Sequence, residues 1–296
     1  MGPPLLRRLG RTLRAALLAV AAVHAAAAGA VTVGSKRFTE SYILGELVRQ
    51  TLAQAGVPAE HRQGLGNTAV MEQALANGSI DLYPEYTGTI VRELLKRDDP
   101  APSLEQLNAW LAPRGLKAGV PLGFNNSYAL AMREDQARQL GIETISDLAR
   151  LGGKLRAGLS HEFLSRADGW PALQKAYGLP LAPGSGLDHG LAYQALAAGQ
   201  VDVVDAYGTD AQIARLKLRV LRDDRKFFPR YDAVLLMRTA VSEGPLAALT
   251  NRIDDEAMRA MNAQVEIDGR TFADVATAFL QQGKTAAHGA SAKVRP

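Results

Sequence analysis

Alternating strand-like and helix-like stretches predict an α/β fold, and an internal echo predicts two similarly built lobes. The echo pairs residues 74–89, ALANGSIDLYPEYTGT, with 195–210, ALAAGQVDVVDAYGTD, at a constant displacement of 121 positions. Ala74, Leu75, Ala76, Gly78, Asp81 and Tyr86 recur as Ala195, Leu196, Ala197, Gly199, Asp202 and Tyr207. In the first copy a helix tail ends at Asn77-Gly78 and Ile80-Asp81-Leu82 reads as a buried strand. The chain then turns at Pro84 and delivers Tyr86 just past the strand end. A tyrosine carried by the loop after a strand stands where open α/β sheets bind ligands.

With 296 residues the chain is long enough for two domains with substantial cores. Its 47% hydrophobic and 22% charged residues place it among globular rather than disordered chains. The formal charge of +4 hints at nucleic acid, but its location removes the hint. Residues 1–30 hold Arg7, Arg8, Arg11 and Arg14 and no acid, and the remainder has 30 basic against 30 acidic residues. Those first 30 residues read as a signal peptide. A basic start precedes an apolar run over 15–28, and Ala26-Ala27-Ala28 and Ala28-Gly29-Ala30 both fit a small-residue cleavage site near 28–30. The run is shorter than the ~20 residues of a membrane span, so an uncleaved anchor is the lesser reading. Cysteine is absent, which removes disulfides, thiol nucleophiles and a lipidated cysteine. An exported, periplasmic protein is expected.

Along the mature chain, Val31-Thr32-Val33 reads as the first strand, and Gly34-Ser35-Lys36-Arg37 as a polar loop. Ile43, Leu44, Leu47, Val48 and Leu52 recur at helical spacing until Gly56 and Pro58. Lys36 thus falls between a strand end and a helix start, either a solvated loop lysine or an anion partner helped by helix N-terminal amides. Gly64-Leu65-Gly66-Asn67-Thr68 is a second glycine loop without the Lys-Ser/Thr ending of a P-loop. Trp110, spaced with Leu104, Leu107 and Leu111, reads as core. Phe124-Asn125-Asn126-Ser127-Tyr128 leads into the apolar Ala129-Leu130-Ala131-Met132, which is expected to enter the second lobe as a strand. Ser146 is the expected N-cap of the next helix, and Leu155-Arg156-Ala157-Gly158-Leu159 reads as a strand. Ala233-Val234-Leu235-Leu236-Met237 is a continuous apolar strand, followed by helix to about Leu280 and a frayed tail over 283–296.

Tyr86, Tyr128, Tyr207 and Tyr231 all fall near strand ends. Each alone reads as an amphipathic rim residue. Together they could form a cage whose ring faces surround a quaternary ammonium, which has no N–H to donate and is held by cation–π attraction. Each such contact contributes roughly 0.5–2 kcal/mol, so several rings are needed. The histidines His24, His61, His161, His189 and His288 lack metal-ligand spacing, and no metal or cofactor is expected. Asp188-His189 near Ser185 is a weak hydrolase fragment, because Gly184-Ser185-Gly186 is not a nucleophile elbow.

GSKRFTE (34–40), YPEYTGT (83–89), NNSYAL (125–130), EFLSRADGW (162–170), DAYGTD (205–210) and FFPRYDAVLL (227–236) resemble the substrate-binding proteins of osmoprotectant ABC importers. Those proteins bind glycine betaine, choline, carnitine or proline betaine. The resemblance implies a two-lobed periplasmic-binding-protein fold of type II, with two interlobe crossovers and a ligand cleft between the lobes. It divides the chain into lobe 1 (31–125 and 232–282) and lobe 2 (126–231). It also implies a monomeric receptor rather than an enzyme, a membrane permease as partner, and no nucleic acid.

The family's cage tyrosines match Tyr86, Tyr128, Tyr207 and Tyr231, and polar pocket positions match Lys36, Thr89, Asn126 and Arg166. Arginine can pair bidentately with a carboxylate and lysine adds a point charge. Arg166 reads equally as an ion pair with Asp168, and Thr89 and Asn126 as partners of local backbone. Some choline-selective relatives carry an acid where Thr89 stands, so threonine leaves room for a carboxylate. A receptor for an amino acid or other small polar solute is the alternative, and an exported enzyme on the same scaffold a more distant one.

Overall fold

The computed structural model describes residues 29–99, 101–151 and 153–291, with side chains to residue 282. The expected signal peptide lies outside the described residues except for Gly29 and Ala30. Among the described residues eight strands form two sheets. The first, in the order β2-β1-β3-β8-β4, contains β1 (Val31–Lys36), β2 (Ala59–Gly66), β3 (Leu82–Tyr86), β4 (Leu116–Asn125) and β8 (Asp232–Arg238). The second, in the order β6-β5-β7, contains β5 (Tyr128–Arg133), β6 (Val204–Tyr207) and β7 (Leu218–Leu221). The chain passes between the sheets twice, at Asn126-Ser127 and in the segment from β7 to β8. The two passages touch, because the Asn126 amide donates to the Tyr231 carbonyl at 3.0 Å.

Each sheet is built as its sequence dictates. β8 runs antiparallel between β3 and β4, and its residues Ala233, Val234, Leu235, Leu236 and Met237 are all buried. A strand covered on both faces has no reason to alternate, which explains its unbroken apolar run. Helix Thr39–Gln54 buries Ile43, Leu44, Leu47, Val48 and Leu52 on one face, each contributing about 1.5–3 kcal/mol relative to exposure. The helix stops at Gly56, whose φ of 77° lies in the left-handed region that a side chain resists.

The echo is a structural equivalence. Helices Thr68–Ala76 and His189–Ala197 have nine residues each, with Asn67 and Asp188 as N-caps. Gly78 (φ 76°) and Gly199 (φ 67°) follow them in the same left-handed conformation. Asp81 accepts from the Thr32 amide at 2.9 Å and donates its own amide to the Thr32 carbonyl at 2.8 Å. Asp202 does the same with Arg156, at 2.8 Å for both bonds. Tyr86 and Tyr207 are then the last residues of β3 and β6.

Several expectations are corrected. The strand expected at Ile80 begins at Leu82 and runs through Pro84 to Tyr86. β3 pairs with β1 only at Val33–Leu82, so beyond that point one edge has no ladder to be broken by a proline. β2 is polar and half-exposed on the sheet edge, without the apolar alternation that marks a strand. Leu155-Arg156-Ala157-Gly158-Leu159 forms only an isolated bridge, Ala157 to Val203. The N-cap is Thr144, not Ser146, in a capping box with Asp147. The last helix spans Phe272–Ser291, past the end expected near Leu280, and residues 292–296 of the expected tail lie outside the described residues.

Candidate ligand site

A cavity of about 460 Å³ opens between the two sheets, and all eight residues singled out from sequence line it: Lys36, Tyr86, Thr89, Asn126, Tyr128, Arg166, Tyr207 and Tyr231. Strand ends place the rings. Tyr128 opens β5 and pairs in register with Tyr207, the last residue of β6. Tyr231 stands one residue before β8. The Tyr128 ring is edge-on to Tyr207 (5.1 Å between centres, 71°) and to Tyr231 (5.5 Å, 77°). From behind, Phe163 stacks on it at 5.0 Å.

Two of the hydroxyls point away from use by a ligand. Tyr86 donates to Glu40 Oε1 at 2.5 Å and Tyr231 to Asp168 Oδ2 at 2.8 Å. Burial first, and neighbouring acids next, raise the phenol pKa of Tyr86 well above its ordinary value, and burial does the same for Tyr128 and Tyr207. The rings are therefore neutral and their faces are what they offer, which suits a cation without N–H groups.

The polar residues are more heavily committed than the sequence suggests. Lys36 is neither solvated nor free for an anion: it is buried, and its Nζ lies 2.7 Å from Oε1 of the wholly buried Glu85. Arg166 grips Asp168 bidentately, at 2.7 Å from Nε and 2.6 Å from Nη2. Its Nη1 reaches Thr89 Oγ1 at 3.1 Å and Glu162 Oε1 at 3.4 Å. Burial would push the Asp168 carboxyl up, but the Arg166 charge together with hydrogen bonds from Arg166 and Tyr231 outweighs it and holds the pKa below the usual value. Asn126 is used at both ends: Nδ2 donates to Glu40 Oε1 at 2.9 Å and Oδ1 accepts from the Thr209 amide at 3.2 Å.

Sequence reasoning missed Phe38, Glu162 and His189. Phe38 lines the cavity 5.5 Å from the Tyr207 ring. Glu162 accepts from the Thr68 hydroxyl at 2.5 Å and amide at 3.3 Å, joining the two sheets' segments. Its four-residue spacing from Arg166 was the available signal. His189 stacks on Tyr207 with ring centres 4.1 Å apart and 21° between planes. Burial alone would lower its pKa, but Asp210, at 2.8 Å from Nε2, and Asp205 overcome it and bring it to about 10. Its carboxylates are therefore Asp205 and Asp210, while Asp188 caps the helix, so the imagined Asp188-His189 hydrolase fragment does not form.

Two α/β lobes, two adjoining crossovers and a cavity between them define a protein of the two-lobed periplasmic-binding-protein class. Residues 29–282 match the family described as the substrate binding domain of the ABC-type glycine betaine transport system. The chain belongs to that family. It is 34% identical to a glycine-betaine-binding protein of Pseudomonas aeruginosa, across 93% of this chain and 95% of that one. It is 33% identical to the ergothioneine transport permease/ergothioneine binding protein EgtU of Helicobacter pylori, across 85% of this chain but only 47% of that one. A crystal structure of a glycine betaine/carnitine/choline ABC transporter superposes with a TM-score of 0.65 at 27% identity, covering 85% of this chain and 98% of that one.

Proposed function

We propose that this chain is the receptor of an ABC importer, capturing a quaternary-ammonium osmolyte such as glycine betaine or choline and delivering it to a membrane permease. The observation that carries this reading is the set of four buried tyrosines around one cavity, with the Tyr86 and Tyr231 hydroxyls engaged away from the ligand and ring faces left for it. Tyr86, Tyr128, Tyr207 and Tyr231 hold the cation in this proposal. Thr89 and Arg166 are the polar residues best placed for a carboxylate, while Lys36 contributes a charge already offset by Glu85 and Asn126 acts by shaping the wall. In this proposal the lobes divide at 125/126, just after β4 ends, and at 231/232, just before β8 begins. The protein works as an exported, periplasmic monomer, released from its leader near 28–30, and as a receptor rather than a catalyst.

Two observations favour variants of this reading. A cavity of about 460 Å³ lies in the size range of drug-like ligands, so it has room for a larger betaine of the ergothioneine kind. Glu162 lines the same cavity, and an acid there favours the alternative ligand, an amino acid or other small polar solute with N–H groups to donate. Calorimetry with glycine betaine, choline, ergothioneine and proline separates these. Heat with the quaternary amines and none with proline is expected, and no heat with any quaternary amine would sink the proposal.

A further inference from the structure

Glu40 stands behind the cavity, in the first turn of helix Thr39–Gln54, with 2% of its surface exposed. Four donors from four parts of the chain meet its carboxylate. Oε1 accepts from the Tyr86 hydroxyl at 2.5 Å and from Asn126 Nδ2 at 2.9 Å. Oε2 accepts from Asn262 Nδ2 at 3.2 Å and from the Thr209 hydroxyl. The end of β3, the first crossover, the loop after β6 and helix Asp255–Glu266 therefore converge on one side chain. Tyr86 belongs to the first sheet, and Thr209 follows the second.

A carboxylate is costly to bury unless its lone pairs are taken, and here both oxygens are used twice. An amide cannot replace it without loss. Asn126 is kept from flipping by the Thr209 amide on its Oδ1, and Asn262 by its second bond, Nδ2 to the Thr209 carbonyl at 3.0 Å. Whichever way a glutamine is turned, its NH₂ group faces one of these two donors.

The structure assigns Glu40 as a positioning residue that aims the Tyr86 ring into the cavity while gripping Asn126 and Thr209, so that one carboxylate couples cage assembly to lobe closure. This rests on reading the cavity as a quaternary-ammonium site. Lobe opening withdraws Thr209 and admits water to Glu40. In the closed form burial raises its pKa from the ordinary 4.5 to about 7, against the bonds from Thr209, Tyr86 and Asn262, and with Asp210 adding repulsion. Closure then takes up protons. Affinity is greatest below about pH 4.5, falls as pH rises through the window to about 7, and levels off above it.

The charged groups on the far side of Glu40 line a cavity of about 420 Å³: Arg37, Asp188, His189, Asp210, Arg215 and Glu266. His189, with its pKa near 10, stays protonated throughout the window. Glu266 is also raised by burial, so Glu266→Gln is the control. The hydroxyls of Tyr42 and Tyr193, with pKa values raised by burial, do not titrate there.

The test is calorimetry between pH 5 and 8 with whichever of glycine betaine and choline the wild type binds more tightly. Wild type and Glu266→Gln gain affinity several-fold per pH unit below pH 7. Glu40→Gln binds roughly ten- to a hundredfold more weakly at pH 7 and loses the slope. Tyr86→Phe, which keeps the ring and the fold, is weakened at every pH and serves if Glu40→Gln does not fold. Wild-type affinity in Tyr86→Phe, or wild-type affinity and slope in Glu40→Gln, overturns the role of Glu40 alone. A wild type that binds neither compound overturns the reading of the site and the role of Glu40 with it.

Discussion

Thr89 and Arg166, 77 positions apart in the chain, meet at the cavity wall with 3.1 Å between hydroxyl and guanidinium. Thr89 follows β3 of the first sheet, and Arg166 follows helix His161–Ser165 beside the second. Thr89→Val removes this bond and nothing larger. It should weaken ligand binding roughly tenfold, the scale of a hydrogen bond to a charged group, with the melting temperature of the ligand-free protein within a few degrees. Unchanged affinity would show that the bond does not contribute to the bound state.

Arg166 itself should behave as a structural cation as much as a ligand contact. Arg166→Ala leaves Asp168 buried without its partner, and stability should drop by about 3–5 kcal/mol in urea unfolding. Adding Asp168→Ala should recover part of that loss. If the double variant is as unstable as the sum of the singles, the pair is not coupled.

Among the tyrosines, Tyr128 is braced against Tyr207, Tyr231 and Phe163. Tyr86→Ala and Tyr207→Ala should each weaken a quaternary amine by roughly five- to thirtyfold, one cation–π contact apiece. Tyr128→Ala should cost more, because two neighbours lose their support. Titration of the three variants with choline orders them, and a Tyr128→Ala loss smaller than the others would contradict the bracing.

His189 supplies a pH dependence of stability opposite in cause to that of an acid. Its pKa rises from 6.5 to about 10 on folding, so its contribution is complete below pH 6.5 and fades as pH climbs through 10. The urea midpoint of the wild type should therefore approach that of His189→Gln between pH 6.5 and 10. A gap that stays constant over that range would mean the imidazole is uncharged in the fold.

The echo makes a paired prediction. Asp81 and Asp202 close the same backbone loop, but Asp202 also takes two bonds from Arg156, at 2.9 and 3.1 Å. Asp81→Ala should cost about 1–2 kcal/mol and Asp202→Ala about 2–3 kcal/mol in denaturant unfolding. Equal losses would leave the arginine bonds without weight.

The α/β alternation, the lobes' equivalence and the positions of the four tyrosines were legible because each is written in local sequence. Helix ends, strand ends and the aromatic beyond them recur within short stretches. β2 was not legible, because an edge strand half open to water has no apolar period. The ion pair of Lys36 was not legible for a different reason: its partner, Glu85, lies 49 residues away. Glu40 sits inside the quoted GSKRFTE motif, yet its meaning depends on Thr209 and Asn262, 169 and 222 residues on. Sequence spacing carries no trace of such a convergence.

The bond from the Asn126 amide to the Tyr231 carbonyl, with Asn125 paired to Asp232 beside it, makes the two crossovers a short ribbon. A ribbon of two chains bends easily about the line across it and resists sliding along it, because only sliding breaks its bonds. Any rotation of one sheet against the other is thus steered to one swing, like a door on two leaves. Tyr231 is part of the ribbon and Tyr128 lies two residues beyond Asn126, so both residues stand beside the crossovers.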